Sequence, residues 1–291
     1  MRSPYLTAAL LALAVATAAT AAEPADPPPS AGTSDQALEP LPPEPASPIT
    51  DHFALRASVF FGTASTRGEV DDPTAPTPGT PFSLEKDFKL SPSVHQARAE
   101  FLFRLRERGR LRVDLWELTR TGTTHPPTTI VYGGHTFTPT DQVASEFNWH
   151  QVDITWTYSF LKRSRFELGA GLGLHLLEAE ANANATLATG PVAEHFSGAG
   201  PFVTLALDGT WRISRRFAFS ARGQYLKLTV SSVKGSLGDY HGDLQFRWRP
   251  NLAFGLGYES TQTRLDVSNN NPNGFMRLGT HGPELFARAS F

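Results

Sequence analysis

The stretch Gln151-Val152-Asp153-Ile154-Thr155-Trp156-Thr157-Tyr158-Ser159-Phe160 alternates without a break. Val152, Ile154, Trp156, Tyr158 and Phe160 share one face of an extended chain, and Gln151, Asp153, Thr155, Thr157 and Ser159 share the other. Successive side chains of a strand point to opposite sides, so this segment reads as a strand between two unlike environments. The pattern recurs on both sides of it. Phe166, Leu168, Ala170, Leu172 and Leu174 oppose Glu167, Gly169, Gly171 and Gly173; Tyr240, Leu244, Phe246 and Trp248 oppose His241, Asp243, Gln245 and Arg247. Ten such runs are expected, at about 53-63, 93-106, 110-121, 146-161, 165-178, 198-213, 216-230, 237-249, 251-263 and 281-291.

Connection lengths say how the runs are joined. The links at 107-109, 162-164, 214-215 and around Pro250 are short, whereas 64-92, 122-145, 179-197 and 264-280 are long and 231-236 is modest. Short and long links alternate along the chain. That is the habit of transmembrane barrels, with tight turns at one end and long loops at the other, and a soluble sandwich has no reason to keep it. The face opposite the apolar one carries too much charge for solvent decoration, so the apolar face is expected to meet lipid and the polar face the lumen. Aromatics gather beside the short turns: Tyr158, Phe160, Phe166, Trp211, Phe217, Trp248 and Phe254. Such a cluster at one end reads as an interfacial girdle. The turns are also basic (Arg106, Arg108 and Arg110; Lys162, Arg163 and Arg165; Arg212, Arg215 and Arg216; Arg247 and Arg249), as either solvated residues or contacts to anionic headgroups.

The start of the chain is read as an export signal. Arg2 is followed by an uncharged apolar run, Leu6 to Ala19, and by Ala19-Thr20-Ala21, which places cleavage after Ala21 or Ala22. The run is shorter than the roughly 20 apolar residues of a helical span. Residues 1-22 are therefore assigned to a signal peptide and 23-50, rich in Pro, Ala, Ser and acids, to a disordered periplasmic linker. Residues 51-291 form the barrel. The 291-residue chain has no cysteine, hence no disulfide or thiolate metal site, and its net charge of -2 points to no nucleic-acid partner.

The final run, Gly282-Pro283-Glu284-Leu285-Phe286-Ala287-Arg288-Ala289-Ser290-Phe291, puts Leu285, Ala287, Ala289 and Phe291 on one face. Here the chain resembles the outer-membrane β-barrel superfamily, over about residues 51-291. The resemblance implies a closed antiparallel transmembrane barrel, Phe291 as an assembly signal read by the barrel-assembly machinery, and residence among outer-membrane lipids. An even strand count puts both ends in the periplasm; ten strands are expected, with eight or twelve as alternatives.

The lumen face is expected to hold Arg56, Arg98, Glu100, Arg104, Arg112, Asp114, Asp153, Glu167, Asp208, Arg212, Arg222, Asp243, Arg247, Glu259, Glu284 and Arg288. Opposite charges then fall on neighbouring strands. Paired charges tolerate burial and lone ones do not, which favours a salt-bridge plug over a selective pore or small-ligand cavity. The sharpest catalytic candidates are Asp239 and His241, two apart and on one strand face. Their place resembles that of an Asp-x-His pair in the omptin proteases, also ten-stranded barrels. The aspartate pair that the resemblance requires on the second external loop is missing: Asp114 and Glu117 are wrongly spaced and Asp141 stands alone. Ser145 and His150 lie near a rim without a hydrolase motif, and His125, His135, His195 and His281 are scattered. No metal or cofactor is assigned. The expectation is a structural or surface-interaction barrel, with a narrow solute channel or an omptin-like protease as alternatives. Its loops 64-92, 122-145, 179-197 and 264-280 are the surfaces for an extracellular ligand.

Overall fold

The computed structural model describes residues 47–72, 78–132, 134–187, 190–230, 232–268 and 273–291. The expected signal peptide, and the linker up to residue 46, lie outside them. The barrel strands are β1 (Phe53–Val70), β3 (Ser93–Leu105), β4 (Gly109–Thr124), β7 (Val143–Lys162), β8 (Phe166–Leu187), β9 (Gly190–Arg212), β10 (Phe217–Val230), β11 (Val233–Arg249), β12 (Leu252–Val267) and β13 (Gly274–Ser290). Each pairs antiparallel with its neighbour in sequence, and β13 returns to β1, with Ala54 opposite Ser290 and Val70 opposite Gly274. The expected ten-stranded closed barrel is therefore present. Three short strands sit outside this ring. β2 (Phe82–Ser83) adds to the top of β1, and β5 (Ile130–Tyr132) pairs with β6 (His135–Phe137) in a separate hairpin.

Burial follows the pleat. On β7, Ile154, Trp156, Tyr158 and Phe160 are exposed and the residues between them are buried. The same outward row continues around the wall, where Leu205, Leu207, Leu256 and Leu285 are each 59–63% exposed. This apolar belt begins at the short turns 106-108, 163-165, 213-216 and 250-251, where Phe103, Tyr158, Phe160, Trp211, Phe217, Trp248 and Phe254 all face outward. Phe291 is also there. It exchanges backbone hydrogen bonds with Phe53 at 2.8 and 2.9 Å, and the two rings stack. The last residue thus locks the seam between first and last strands.

The strands are longer than expected, and this corrects the long loops. Residues 179-197 are almost wholly strand, because β8 runs to Leu187 and β9 starts at Gly190. Likewise β10 runs to Val230 and β11 starts at Val233, so most of 231-236 is strand, and 64-92, 122-145 and 264-280 each lose their ends to flanking strands. The strands extend into a head above the belt, where the polarity of the faces inverts. On β7, Val143, Phe147 and Trp149 point inward and are at most 2% exposed, while Glu146, Asn148 and His150 point outward. On three adjacent strands a short polar row marks the change. Outward-facing Glu117, His150 and Glu178 are direct cross-strand partners on β4, β7 and β8. The head has a soluble-style core: Leu84, Phe88 and Leu90 from the segment after β1, and Ile130, Tyr132 and Phe137 from the β5–β6 hairpin, pack against Phe60, Trp116, Phe147 and Trp149. Each such side chain contributes about 1.5–3 kcal/mol on burial.

One seam in the wall is incomplete. The β9–β10 ladder stops at Leu205 opposite Tyr225, although β8–β9 continues to Leu187 opposite Gly190 and β10–β11 to Val230 opposite Val233. The upper part of β9 is thus a free edge among the described residues. Pro191 and Pro201 lie on that stretch, and an edge is where a strand tolerates proline. Phe202 bridges part of the gap by lying over Gly235, where a Cβ would meet its ring at 2.5 Å.

Candidate functional site

The lumen is the one region where strand parity concentrates charge, and its residues form three tiers. At the turn end, Ser47 to Asp51 folds into a turn in which the Thr50 and Asp51 amides donate to the Ser47 carbonyl, each at 3.0 Å. Ile49 is 1% exposed. Arg104 donates to both Glu167 oxygens at 2.7 and 2.9 Å and to the carbonyls of Asp51 and Pro48. Ser159 donates to Glu167 at 2.6 Å. The Asp51 carboxylate accepts from Arg247 at 2.7 Å and lies 3.3 Å from Arg288. The segment just before β1 is therefore seated in the lower mouth. Arg110, expected as a turn residue, instead points inward and donates to Asp208 at 2.6 Å.

At mid-height, Arg56 bonds Asp243 at 3.0 Å, contacts Glu284 and lies 3.6 Å over the Phe286 ring. His241 also bonds Glu284. Arg222 donates to Glu100 at 2.5 Å and lies 3.6 Å from Asp114, while Arg112 is 3.5 Å from Glu100 and 4.0 Å from Asp208. Near the top of the belt, Arg98 pairs with Glu259 and stacks over Phe60 and Trp116. The head is tied down by Arg120, which donates to Glu85 at 2.6 Å and to Thr66.

Of the expected lumen residues, Arg98, Glu100, Arg104, Arg112, Asp114, Asp153, Glu167, Asp208, Arg222, Asp243, Glu259, Glu284 and Arg288 are held in this network. Arg212 lies on β9 beside a turn. Pairing across the lumen satisfies charges that would be very costly alone in a dry interior. Sequence reasoning passed over Asp51, Arg110 and His175. Parity alone would have put His175 on the inward face with Glu167.

The geometry at His175 resembles a hydroxyl–imidazole–carboxylate relay. Nδ1 is 2.5 Å from Asp153 and Nε2 is 2.9 Å from the Thr204 hydroxyl. Thr204, however, donates its proton to Gln224 at 2.9 Å, and both His175 and Thr204 are 0% exposed. Such a hydroxyl is neither deprotonated by the ring nor reachable, so the cluster is a structural bond set. Asp239 and His241 are also inside, at 6% and 5% exposure. Asp114 faces the lumen beside Arg222, while Glu117 faces outward, 3.7 Å from His150. Glu117 therefore cannot join His241 inside the barrel. Ser145 and His150 point to opposite sides of β7. Asp141 accepts from the Thr138 hydroxyl and amide, both at 2.7 Å, and these donors hold its carboxyl below the ordinary value. Among the described residues no group of three or more His, Asp or Glu is placed to hold a metal.

No protein-family description matches the sequence, and no curated protein does. Solved structures do match. The outer-membrane protease OmpT from Escherichia coli overlays with a TM-score of 0.53 at 10% identity, covering 84% of this chain and 98% of that one. The fold is that of the outer-membrane β-barrels. At that identity the likeness concerns fold alone. The toluene transporter TodX of Pseudomonas putida (TM-score 0.33, 8% identity, 83% and 90% covered) and the attachment invasion locus protein Ail of Yersinia pestis (0.30, 11%, 82% and 98%) also match, at scores that carry nothing further.

Proposed function

We propose that this chain is an outer-membrane barrel with a plugged lumen that presents its head at the cell surface as a structural or surface-interaction scaffold. The turns and both barrel ends then face the periplasm. The observation that carries this reading is the double closure of the lumen: Ser47 to Asp51 seats in the lower mouth, the Leu84–Leu90 segment and the β5–β6 hairpin pack in the upper one, and interlocked ion pairs lie between. The apolar belt supports the membrane placement, since only a closed barrel satisfies strand backbones in lipid. The head extends about 11 residues of β8 beyond Leu176, roughly 35 Å of strand at the usual rise.

A narrow channel would need a continuous hydrated path, and an omptin-like protease would need an accessible Asp239–His241 pair. Planar-bilayer recording separates the first: the purified protein is expected to stay silent, and steady single-channel steps would overturn the plug. Incubation with basic peptides separates the second: no cleavage is expected, and cleavage lost on His241→Ala would reinstate it.

A further inference from the structure

The head core is not filled. A slender cavity of about 70 Å³ lies between the top of β1 and the upper walls of β7, β8, β9, β12 and β13. Phe82, Tyr132, Phe147, Phe196, Phe275 and Met276 line it. Around it the same core is packed to full burial, with Phe60, Ile130, Phe137, Val143 and Trp149 at 0–1% exposure. Phe82, Ala181, Phe196 and Met276 pack against that core, are only partly buried and line the cavity. Interiors pack with few voids larger than a water molecule. A volume of about 70 Å³ exceeds the roughly 10–15 Å³ that one water needs, and its apolar lining suits a slender apolar chain rather than a bulky ligand.

Its shape and rim narrow the occupant. The chamber follows β1 from Thr66 to Val70, about 13 Å at the strand rise. Glu69 lines it, with Asp71 just beyond. Burial, with the Asp71 charge beside it, raises the Glu69 carboxyl above its ordinary value. Arg67 lines the chamber too, so the rim carries both signs of charge and favours a ligand end without net charge. Inside, the aromatic rings and Met276 offer contact area and few polar partners.

We infer that the head chamber binds the aliphatic chain of an uncharged or zwitterionic amphiphile, with the chain among Phe82, Phe147, Phe196 and Met276 and the polar end at the rim near Glu69. This goes beyond the scaffold reading and does not depend on which way the barrel is inserted. Each methylene taken from water into the chamber is worth about fourfold in affinity.

The test uses the full-length protein in lipid nanodiscs with a photoreactive, diazirine-bearing dodecanol, followed by peptide mapping. Labelling is expected in the peptides carrying Phe147, Phe196 and Met276, and unlabelled dodecanol should compete it more strongly than octanol. Labelling of outward belt residues such as Leu205 and Leu256 reports chain dissolved in lipid and serves as the internal reference. Ala181→Trp, which fills the chamber from β8, should remove the head labels and leave the belt labels. If that variant fails to fold, competition by unlabelled alcohol on the native protein still decides. Labels confined to the belt, or head labels that excess dodecanol does not displace, would overturn the inference. A silent bilayer or absent peptidase activity bears only on the scaffold reading, so the two fail separately.

Discussion

The Arg104–Glu167 pair offers the most demanding test of the lumen as a charge-matched plug. Both side chains are at most 1% exposed, and the pair is bidentate at 2.7 and 2.9 Å. Removing one partner of such a pair strands a buried charge, at about 3–5 kcal/mol. Glu167→Leu leaves Arg104 with only carbonyl acceptors. Arg104→Met leaves Glu167 to Ser159 and to Arg110, 3.7 Å away, and strips donors from Pro48 and Asp51. Each single variant is therefore expected to lose about 3–5 kcal/mol. The double variant should lose less than either, because replacing both charges by apolar groups of similar volume is near neutral. The assay is reversible denaturant unfolding in lipid vesicles, followed by tryptophan fluorescence and gel mobility. Singles that each cost under about 1 kcal/mol would mean that water enters the lumen and screens the pair. Singles that simply add would mean that the two groups do not interact, and either result refutes the plug argument.

The belt and the head should respond oppositely to charge. Leu205→Arg, at the centre of the outward row, is expected to cost about 2–4 kcal/mol in the same vesicle assay, whereas Ala144→Arg on the outward head surface should be within about 0.5 kcal/mol of native. Trp149→Ala, which empties a 1%-exposed site in the head core, is expected to cost about 3–5 kcal/mol and to raise proteolysis of the β7–β8 region. The Asp141 turn should be sensitive to acid. Its carboxyl is held low by Thr138, so the contribution is complete above the ordinary aspartate range and fades as pH falls through the lowered value. Thr138 amide exchange should quicken across that window, and Asp141→Asn should flatten the response.

The membrane part of the fold was legible because lipid and lumen impose opposite demands on alternate residues, and the segment from Gln151 to Phe160 states both. The head was not legible for the same reason. Above the belt the contrast weakens: β8 continues as Ala179, Ala181, Ala183 and Ala185 against Glu180, Asn182 and Asn184, which reads as a polar loop. On β9, Pro191 falls in the stretch read as loop, whereas Pro201 lies inside the run expected at 198-213, and the missing β10 partner makes both prolines tolerable. Parity assigns the lumen charges to the inward face, and the structure joins them there in buried ion pairs. Parity does not say who pairs with whom, since Arg98 and Glu259 are 161 residues apart and Arg56 and Glu284 are 228 apart, joined only by closure. Arg110 groups with the basic turn residues, as a solvated group or a headgroup contact, because it sits one position past Gly109, where strand and turn have no sequence boundary.

The Glu117–His150–Glu178 row acts as a waterline on one side of the wall. It crosses three adjacent strands in direct register at the height where the outward face turns from apolar to polar. A barrel sinking by one pleat repeat, about 6–7 Å along the strand, would carry these groups toward hydrocarbon one after another, because tilted strands stagger direct partners in height. One rising by the same amount would lift apolar wall into water. Immersion depth is thus written into the strands themselves, and the head stands at a fixed height however its loops vary.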